Sequence, residues 1–239
     1  MIFRLDERLV FPNPHLGQRD GLLAVGGDLS PERLTLAYSL GIFPWYPFEW
    51  CDEPEWFCPL RRFVIFPDEI HISHSMRTLI NKGTYSVTFN KAFDQVIEKC
   101  SNLRIDMHGA WLGPDMVEAY KELHRLGYAT SVEIWDKEGN LMGGLYGVTL
   151  KGCFFGESMF SLEPSASKLA LIWLAQTMSK HNMGKLIDCQ FETPHLRSMG
   201  GRHIPYDDYM QILNTPTSTA PNTSTNTDTD SATTQPPAP

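Results

Sequence analysis

Three polar residues interrupt two otherwise apolar runs of the sequence. Glu157 lies within Gly-Glu-Ser-Met-Phe at 156–160, and Asp188 and Gln190 lie within Leu-Ile-Asp-Cys-Gln-Phe at 186–191. A carboxylate among apolar residues is costly unless it is paired or used in chemistry. Because residues two apart in a β-strand share a face, we expect Asp188 and Gln190 to face together. They form either an internal hydrogen-bond pair or part of a site that handles a cation or an amine proton with Glu157.

An aromatic cluster is the second candidate feature. Residues 42–46 read Ile-Phe-Pro-Trp-Tyr, and Trp50 and Trp56 follow within a dozen positions. Such a cluster forms either the core of a small domain or a platform on which a ring, such as a nucleic-acid base, can stack.

Other catalytic patterns do not fit. Gly-Glu-Ser-Met-Phe is not the Gly-x-Ser-x-Gly of a hydrolase nucleophile. His71 and His74 lack an acidic partner at metal-ligand spacing, so no metal is expected. Residues 197–201 are only weakly similar to an acyl-CoA pyrophosphate loop and lie near the end of the chain, so no cofactor is expected.

The strands and helices predicted around these residues indicate an α+β fold. Residues 141–150 and 153–158 should form strands joined at Lys151-Gly152, followed by a helix at 165–179 and a strand at 185–191. Nearer the N-terminus, Ser30 and Pro31 favour a helix over 31–40 that ends at Gly41.

The composition divides the 239 residues into three segments. Residues 1–62 are rich in Pro, Gly and aromatic side chains and predict a small N-terminal domain. Residues 63–214 show regular strand and helix patterns and predict a larger second domain. Residues 215–239 are almost entirely Thr, Ser, Pro, Asn, Asp and Ala, and they predict a disordered tail because they cannot bury enough apolar surface.

Charge and cysteine usage restrict the partners and the compartment. The net charge is −8, of which Asp228 and Asp230 in the tail supply two, leaving −6 for the body. This argues against broad, nonspecific nucleic-acid binding but permits a local basic patch. The candidates for such a patch, or for ordinary surface charge, are Arg61, Arg62, Arg77, Lys82 and Lys91.

Five cysteines without a C-x-x-C pair, together with the lack of a signal peptide or membrane span, predict a cytoplasmic protein with reduced thiols.

Six blocks of the sequence, in order, carry a specific pattern: residues 21–30, 41–45, 143–147, 156–161, 166–168 and 186–190. Together they resemble the leucyl/phenylalanyl-tRNA–protein transferase family. The resemblance implies a small N-terminal domain and a larger domain with a GNAT-like acyltransferase fold that uses no acetyl-CoA. It implies transfer of Leu or Phe, and less efficiently Met, from aminoacyl-tRNA to proteins that begin with Arg or Lys. The product would be a substrate of bacterial N-end rule degradation, and a monomer is expected.

The resemblance also assigns residues to the site. Trp45 and Trp111 match positions that hold the terminal adenosine of the tRNA. Glu157, Asp188 and Gln190 match the polar centre, where Asp188 and Gln190 would help to deprotonate the amine and Glu157 would orient the cationic acceptor. The aminoacyl side-chain pocket would be lined by Leu145, Phe154, Leu171, Leu174, Met178 and Ile187.

Two other functions stay open on the sequence. A GNAT-type acetyltransferase acting on amines would need a strand-to-helix pyrophosphate loop. A non-catalytic module that binds peptide or nucleic-acid ends would not need the polar centre.

Overall fold

The computed structural model describes residues 1–46, 53–105, 112–181 and 184–216. Within these ranges the helices are α1 (Pro31–Ser39), α2 (His74–Asn81), α3 (Phe93–Ile105), α4 (Pro114–Arg125), α5 (Ala166–Lys180), α6 (Pro194–Ser198) and α7 (Tyr206–Asn214). The strands are β1 (Phe3–Leu5), β2 (Leu22–Gly26), β3 (Phe43–Trp45), β4 (Glu55–Phe57), β5 (Arg61–Ile65), β6 (Ser86–Phe89), β7 (Ala129–Trp135), β8 (Leu141–Leu150), β9 (Cys153–Ser161), β10 (Leu186–Asp188) and β11 (Arg202–Pro205). The predicted α+β class is confirmed.

The described strands form two sheets. The N-terminal sheet has the order β1-β2-β4-β3, and the larger sheet has the order β11-β5-β10-β9-β8-β7-β6. Ser30 caps α1 by accepting a hydrogen bond from the Arg33 amide at 3.3 Å, as the sequence predicts. In the larger sheet, Lys151 and Gly152 both have positive φ, the geometry of a two-residue turn between antiparallel strands. The predicted hairpin is therefore confirmed.

A bulge at Glu157 changes which side chains of β9 share a face. Tyr146 of β8 pairs with Ser158 and Gly147 pairs with Gly156, so Glu157 has no opposite residue. Phe154, before the bulge, and Met159, after it, therefore pack on the same side of the sheet. A side chain on Gly147 would collide with the carbonyl oxygen of Phe155, so glycine lets the two strands approach here.

The two sheets share one apolar core. Trp56 of the N-terminal sheet belongs to the same buried cluster as Tyr146 and Phe155 of the larger sheet. The expected boundary after residue 62 falls inside β5, and the change from one sheet to the other lies between β4 and β5. The division into domains stays a prediction. Helix α7 ends at Asn214, and the expected tail beyond residue 216 lies outside the described residues.

A membrane-crossing helix would need a long, apolar segment. Across the described ranges, no helix meets both conditions.

Candidate active site

Strands β9 and β10 of the larger sheet diverge, and the gap between them, called the wedge below, contains a mainly apolar cavity. Strand β10 runs parallel to β9, but their pairing stops at Asp188 and Phe155, whereas β9 continues to Ser161. The chain turns away because Gln190 adopts a left-handed conformation with φ of 61°. A cavity of about 460 Å³ occupies this region. Its walls are mainly apolar, and Glu157, Ser158 and Gln190 are among the polar residues that line it.

Glu157 is buried and accepts three hydrogen bonds from neutral groups. The hydroxyl of Tyr38 donates to Oε1 at 2.8 Å, and the hydroxyl of Tyr120 donates to Oε2 at 2.7 Å. The side-chain amide of Gln190 donates to Oε1 at 2.9 Å. The donors come from α1, from α4 and from the segment after β10, so residues far apart in sequence converge on one carboxylate.

The surroundings of Glu157 favour its protonated form. Burial raises the pKa of Glu157 to about 7, while the hydrogen bonds from Tyr120 and Tyr38 act in the opposite direction and limit the rise. A carboxyl group with this pKa exists in both protonation states near neutral pH. It can therefore give or take a proton under physiological conditions.

The number of protons available to the hydrogen bonds around Glu157 also favours its protonated form. The hydroxyl oxygens of Tyr38 and Tyr120 also lie 2.7 Å apart, which closes a ring of three short oxygen contacts with Glu157. With an ionised carboxylate the ring contains two protons for three contacts. In the protonated state the carboxyl supplies the third proton by donating to one tyrosine hydroxyl while it accepts from the other, so in that state each contact is a hydrogen bond.

Asp188 has a different environment, dominated by a buried cation. The Nε of Arg62 donates to both carboxylate oxygens at 2.9 Å, and its Nη2 lies 2.8 Å from Oδ2. The hydroxyl of Tyr209 donates to Oδ2 at 2.8 Å. Burial disfavours the charge of Arg62, but the adjacent Asp188 carboxylate outweighs it and the pKa of Arg62 is raised. The guanidinium also lies 4.8 Å from the ring of Phe43 and 5.0 Å from that of Tyr209.

Two expectations about these residues need correction. Arg62 is not a surface charge, because it lies on the buried side of β5 while Arg61 is exposed. The expected strand to residue 191 ends at Asp188, so strand alternation does not place Asp188 and Gln190 on one face. Asp188 instead reaches Gln190 through its backbone, since Oδ1 accepts the Gln190 amide hydrogen at 2.9 Å. Gln190 lines the cavity, and Asp188 lies behind it.

Comparison with known proteins agrees with the resemblance. The family model described as leucyl/phenylalanyl-tRNA protein transferase matches residues 64–214, and the model of its N-terminal domain matches residues 27–60. The chain belongs to this family. It is an aminoacyltransferase.

Relatives named leucyl/phenylalanyl-tRNA–protein transferase are similar over most of their length. Those of Desulforapulum autotrophicum, Syntrophobacter fumaroxidans and Flavobacterium psychrophilum are each 50% identical to this chain. The matches cover 89%, 89% and 87% of this chain and 92%, 89% and 98% of the respective relatives. Among solved structures, L-PGS from Bacillus licheniformis is 12% identical with a TM-score of 0.43, covering 80% of this chain and 71% of that one.

Four of the six residues expected in the aminoacyl pocket of this transferase line the cavity. They are Leu145, Phe154, Leu171 and Ile187. Leu174, in α5, is instead buried in the core, and Met178 of the same helix packs on the same cluster and contacts Gly184. Met159 also lines the cavity but is missed by the sequence prediction, since only the bulge at Glu157 turns it to this face.

The aromatic cluster forms another wall of the transferase cavity. Trp45 lines it, with its ring 5.9 Å from that of Phe191 and 6.1 Å from that of Phe57. Trp56 is fully buried and belongs to the core. Trp111, the second residue expected at the adenosine, lies outside the described residues.

The described part of the transferase offers little for a metal or for acetyl-CoA. Within it, no three His, Cys, Asp or Glu side chains are close enough to hold a metal ion. The link from β9 to α5 is the strand-to-helix position that a pyrophosphate loop would occupy. It reads Leu-Glu-Pro-Ser at 162–165, without glycine and with a carboxylate that would repel phosphate.

Proposed function

We propose that this aminoacyltransferase moves Leu or Phe, and Met less efficiently, from aminoacyl-tRNA to the α-amino group of proteins beginning with Arg or Lys. The products would enter bacterial N-end rule degradation, and the enzyme would act as a monomer in the cytoplasm. The observation that supports this proposal is an apolar cavity that ends at a carboxyl group able to exchange a proton near neutral pH.

The walls of the cavity suit an apolar aminoacyl group. Leu145, Phe154, Met159, Leu171 and Ile187 offer no polar side-chain partner to a substrate. A charged or strongly polar side chain would lose its hydration on entry without compensation. Discrimination between Leu and Val should be modest, because one methylene contributes about 1–3 kcal/mol.

The reaction is aminolysis of an ester that is already activated. The acceptor α-ammonium first loses a proton, and its nitrogen then attacks the ester carbonyl carbon. A C–N bond forms, the bond from carbon to the ribose oxygen breaks, and a proton passes to that oxygen. The free α-amine has a pKa of about 8, so the site needs a group that accepts a proton near neutral pH.

We assign Glu157 as the proton acceptor and Gln190 as the residue that orients it. Of the described residues that line the cavity, Glu157 is the one with a carboxylate, and it also complements the positive charge of the acceptor. Asp188 acts through Gln190, whose amide hydrogen it accepts. Trp45, with Trp111, would stack on the terminal adenosine of the tRNA.

The first experiment is a transfer assay with radiolabelled Leu-, Phe- and Val-tRNA and peptides beginning with Arg, Lys, Asp or Ala. We expect transfer of Leu and Phe to the Arg and Lys peptides and much less to the other two. Equal transfer to all four peptides would contradict the acceptor assignment. If none of the three aminoacyl-tRNAs supported transfer to any peptide, that result would contradict the proposed function.

A further inference from the structure

In the described part of the chain, the edge of β9 that faces the wedge has no partner strand beyond Phe155. Strand β10 pairs with β9 only at residues 153–155, and the chain then leaves the sheet. In the described ranges, no backbone hydrogen bond crosses the wedge to Met159 or Ser161. This segment of β9 is therefore an internal sheet edge that opens into the cavity.

The bulge determines which backbone groups face the wedge. The carbonyl oxygen of Gly152 accepts a hydrogen bond from the Lys185 amide at 2.8 Å, so position 152 directs its polar groups towards β10. Because this direction alternates along a strand, the backbone N–H and C=O groups of residues 154 and 156 also point towards β10. The bulge at Glu157 adds one residue, so beyond it the groups that point towards the wedge are those of Met159 and Ser161. A row of N–H and C=O groups along such an edge can pair with an extended peptide.

We propose that the first residues of the acceptor protein bind as an added strand along residues 156–161 of β9, with the α-amino group at Glu157. This inference rests on the proposed function and deepens it. The charge of the site selects the occupant, because Glu157 attracts an amino terminus and lies where the unpaired edge begins. The edge ends at Ser161, which is exposed, so the rest of an acceptor has a way out to solvent.

A polar side chain across the wedge supports a peptide ligand. His195 of α6 lines the cavity, and its Nε2 is buried without a hydrogen-bond partner in the described part of the chain. Burial, with a smaller contribution from Lys168, lowers the pKa of His195, so the imidazole is neutral near pH 7. A neutral imidazole can bond to a peptide amide or carbonyl on the side away from β9.

Binding through the backbone would make the enzyme tolerant of sequence beyond the first acceptor residue. Main-chain hydrogen bonds do not read side chains, and alternate side chains of an added strand point to opposite sides. The acceptor would need only a terminal residue that fits the site and a short segment that can become extended.

The test is a backbone scan of an acceptor peptide that begins with Arg. One amide at a time, from the second to the fifth residue, is replaced by an ester, which removes the N–H donor without adding bulk. A matched series carries an N-methyl group at the same positions. Values of kcat/KM for Phe transfer are measured with full-length enzyme and Phe-tRNA, and the unmodified peptide serves as the control.

We expect an alternating pattern. Esters at every second residue should lower kcat/KM about tenfold, the effect of about 1.4 kcal/mol, and esters between them should have less than a twofold effect. N-methylation should follow the same alternation. Equal tolerance of all esters, or an equal loss at every position, would overturn the added strand while leaving the proposed function intact. Lack of transfer to the unmodified peptide would overturn the proposed function and this inference together.

Discussion

Two buried carboxylates lie at the same cavity, and their hydrogen-bond partners differ in charge. Glu157 lines the cavity, whereas Asp188 lies behind Gln190. Glu157 has three neutral hydrogen-bond donors, and burial raises its pKa to about 7. Asp188 has a guanidinium in direct contact, shielded by two aromatic rings. Neutral donors leave a buried carboxyl group without a counter-charge, whereas the Arg62 guanidinium gives Asp188 a buried ion-pair partner. The first environment suits proton transfer and the second suits structural support.

The largest expected effect comes from removing the proton acceptor. Glu157→Gln keeps the size of the side chain but cannot accept the proton, so the single-turnover rate should fall about 100- to 10,000-fold. Stability at pH 5 should change little, because there the folded protein holds Glu157 in its neutral form and a neutral amide replaces it. Quench-flow transfer assays at saturating substrates and urea unfolding measure the two quantities.

The matched control is Asp188→Asn. It leaves Arg62 buried without a counter-ion, so it should mainly lower stability, and the folded enzyme should keep its pH dependence. If Asp188→Asn abolished proton-linked activity and Glu157→Gln did not, the two roles would be reversed. Unchanged rates for Asp188→Asn across pH would exclude Asp188 as the base.

The ion pair predicts a large effect on stability. Arg62→Met leaves the Asp188 carboxylate buried and unpaired, which should lower the free energy of unfolding by about 3–5 kcal/mol. The double variant Arg62→Met/Asp188→Asn removes both charges and should recover a large part of that loss. Urea unfolding of the three proteins tests this, and additive losses in the double variant would show that the two residues do not form a pair.

The raised pKa of Glu157 predicts lower stability at higher pH. In the unfolded chain Glu157 loses its proton near its ordinary pKa of 4.5, whereas the folded protein retains it to about pH 7. Because the folded state binds more protons between these values, its stability should fall as the pH rises from 4.5 to 7, by about 3 kcal/mol in total. Glu157→Gln should abolish this component, which is measured as the difference between the two proteins at pH 5 and pH 8.

The smallest expected effect is a shift of the pH profile when a tyrosine hydroxyl that donates to a carboxylate is removed. The Tyr120 and Tyr38 hydroxyls lower the pKa of Glu157, so Tyr120→Phe and Tyr38→Phe should move the acidic limb of the kcat/KM profile to higher pH. The same substitution at Tyr209, which donates to Asp188, should leave that limb in place. A similar shift in all three variants would show that the pKa of Glu157 also depends on the hydrogen bond to Asp188.

Sequence patterns predict the elements around the site because they are encoded locally. Lys151-Gly152 adopts the positive φ angles of a tight turn, and Ser30 and Pro31 start α1 as expected. The three polar residues of the centre are also evident, since each interrupts an apolar run. Such signals depend on neighbours within a few positions.

The connections between these residues depend on distant parts of the chain and are not visible in the sequence. The apolar run around Glu157 contains no pattern that predicts the bulge, because the bulge arises from pairing with β8. Arg61 and Arg62 are chemically identical, and only the orientation of β5 decides which one is buried. The left-handed turn at Gln190 likewise overrides the alternation that its sequence predicts.

The participation of Tyr209 has a consequence for how the enzyme is made. This residue, in α7, completes the surroundings of Asp188, while Tyr38, in α1, completes those of Glu157. Tyr38 leaves the ribosome early, whereas Tyr209 leaves it only when the folded body is almost fully synthesised. A chain released before residue 209 would contain Glu157, Asp188 and Gln190 but not the packing that holds them. Truncated translation products of this enzyme should therefore be inactive.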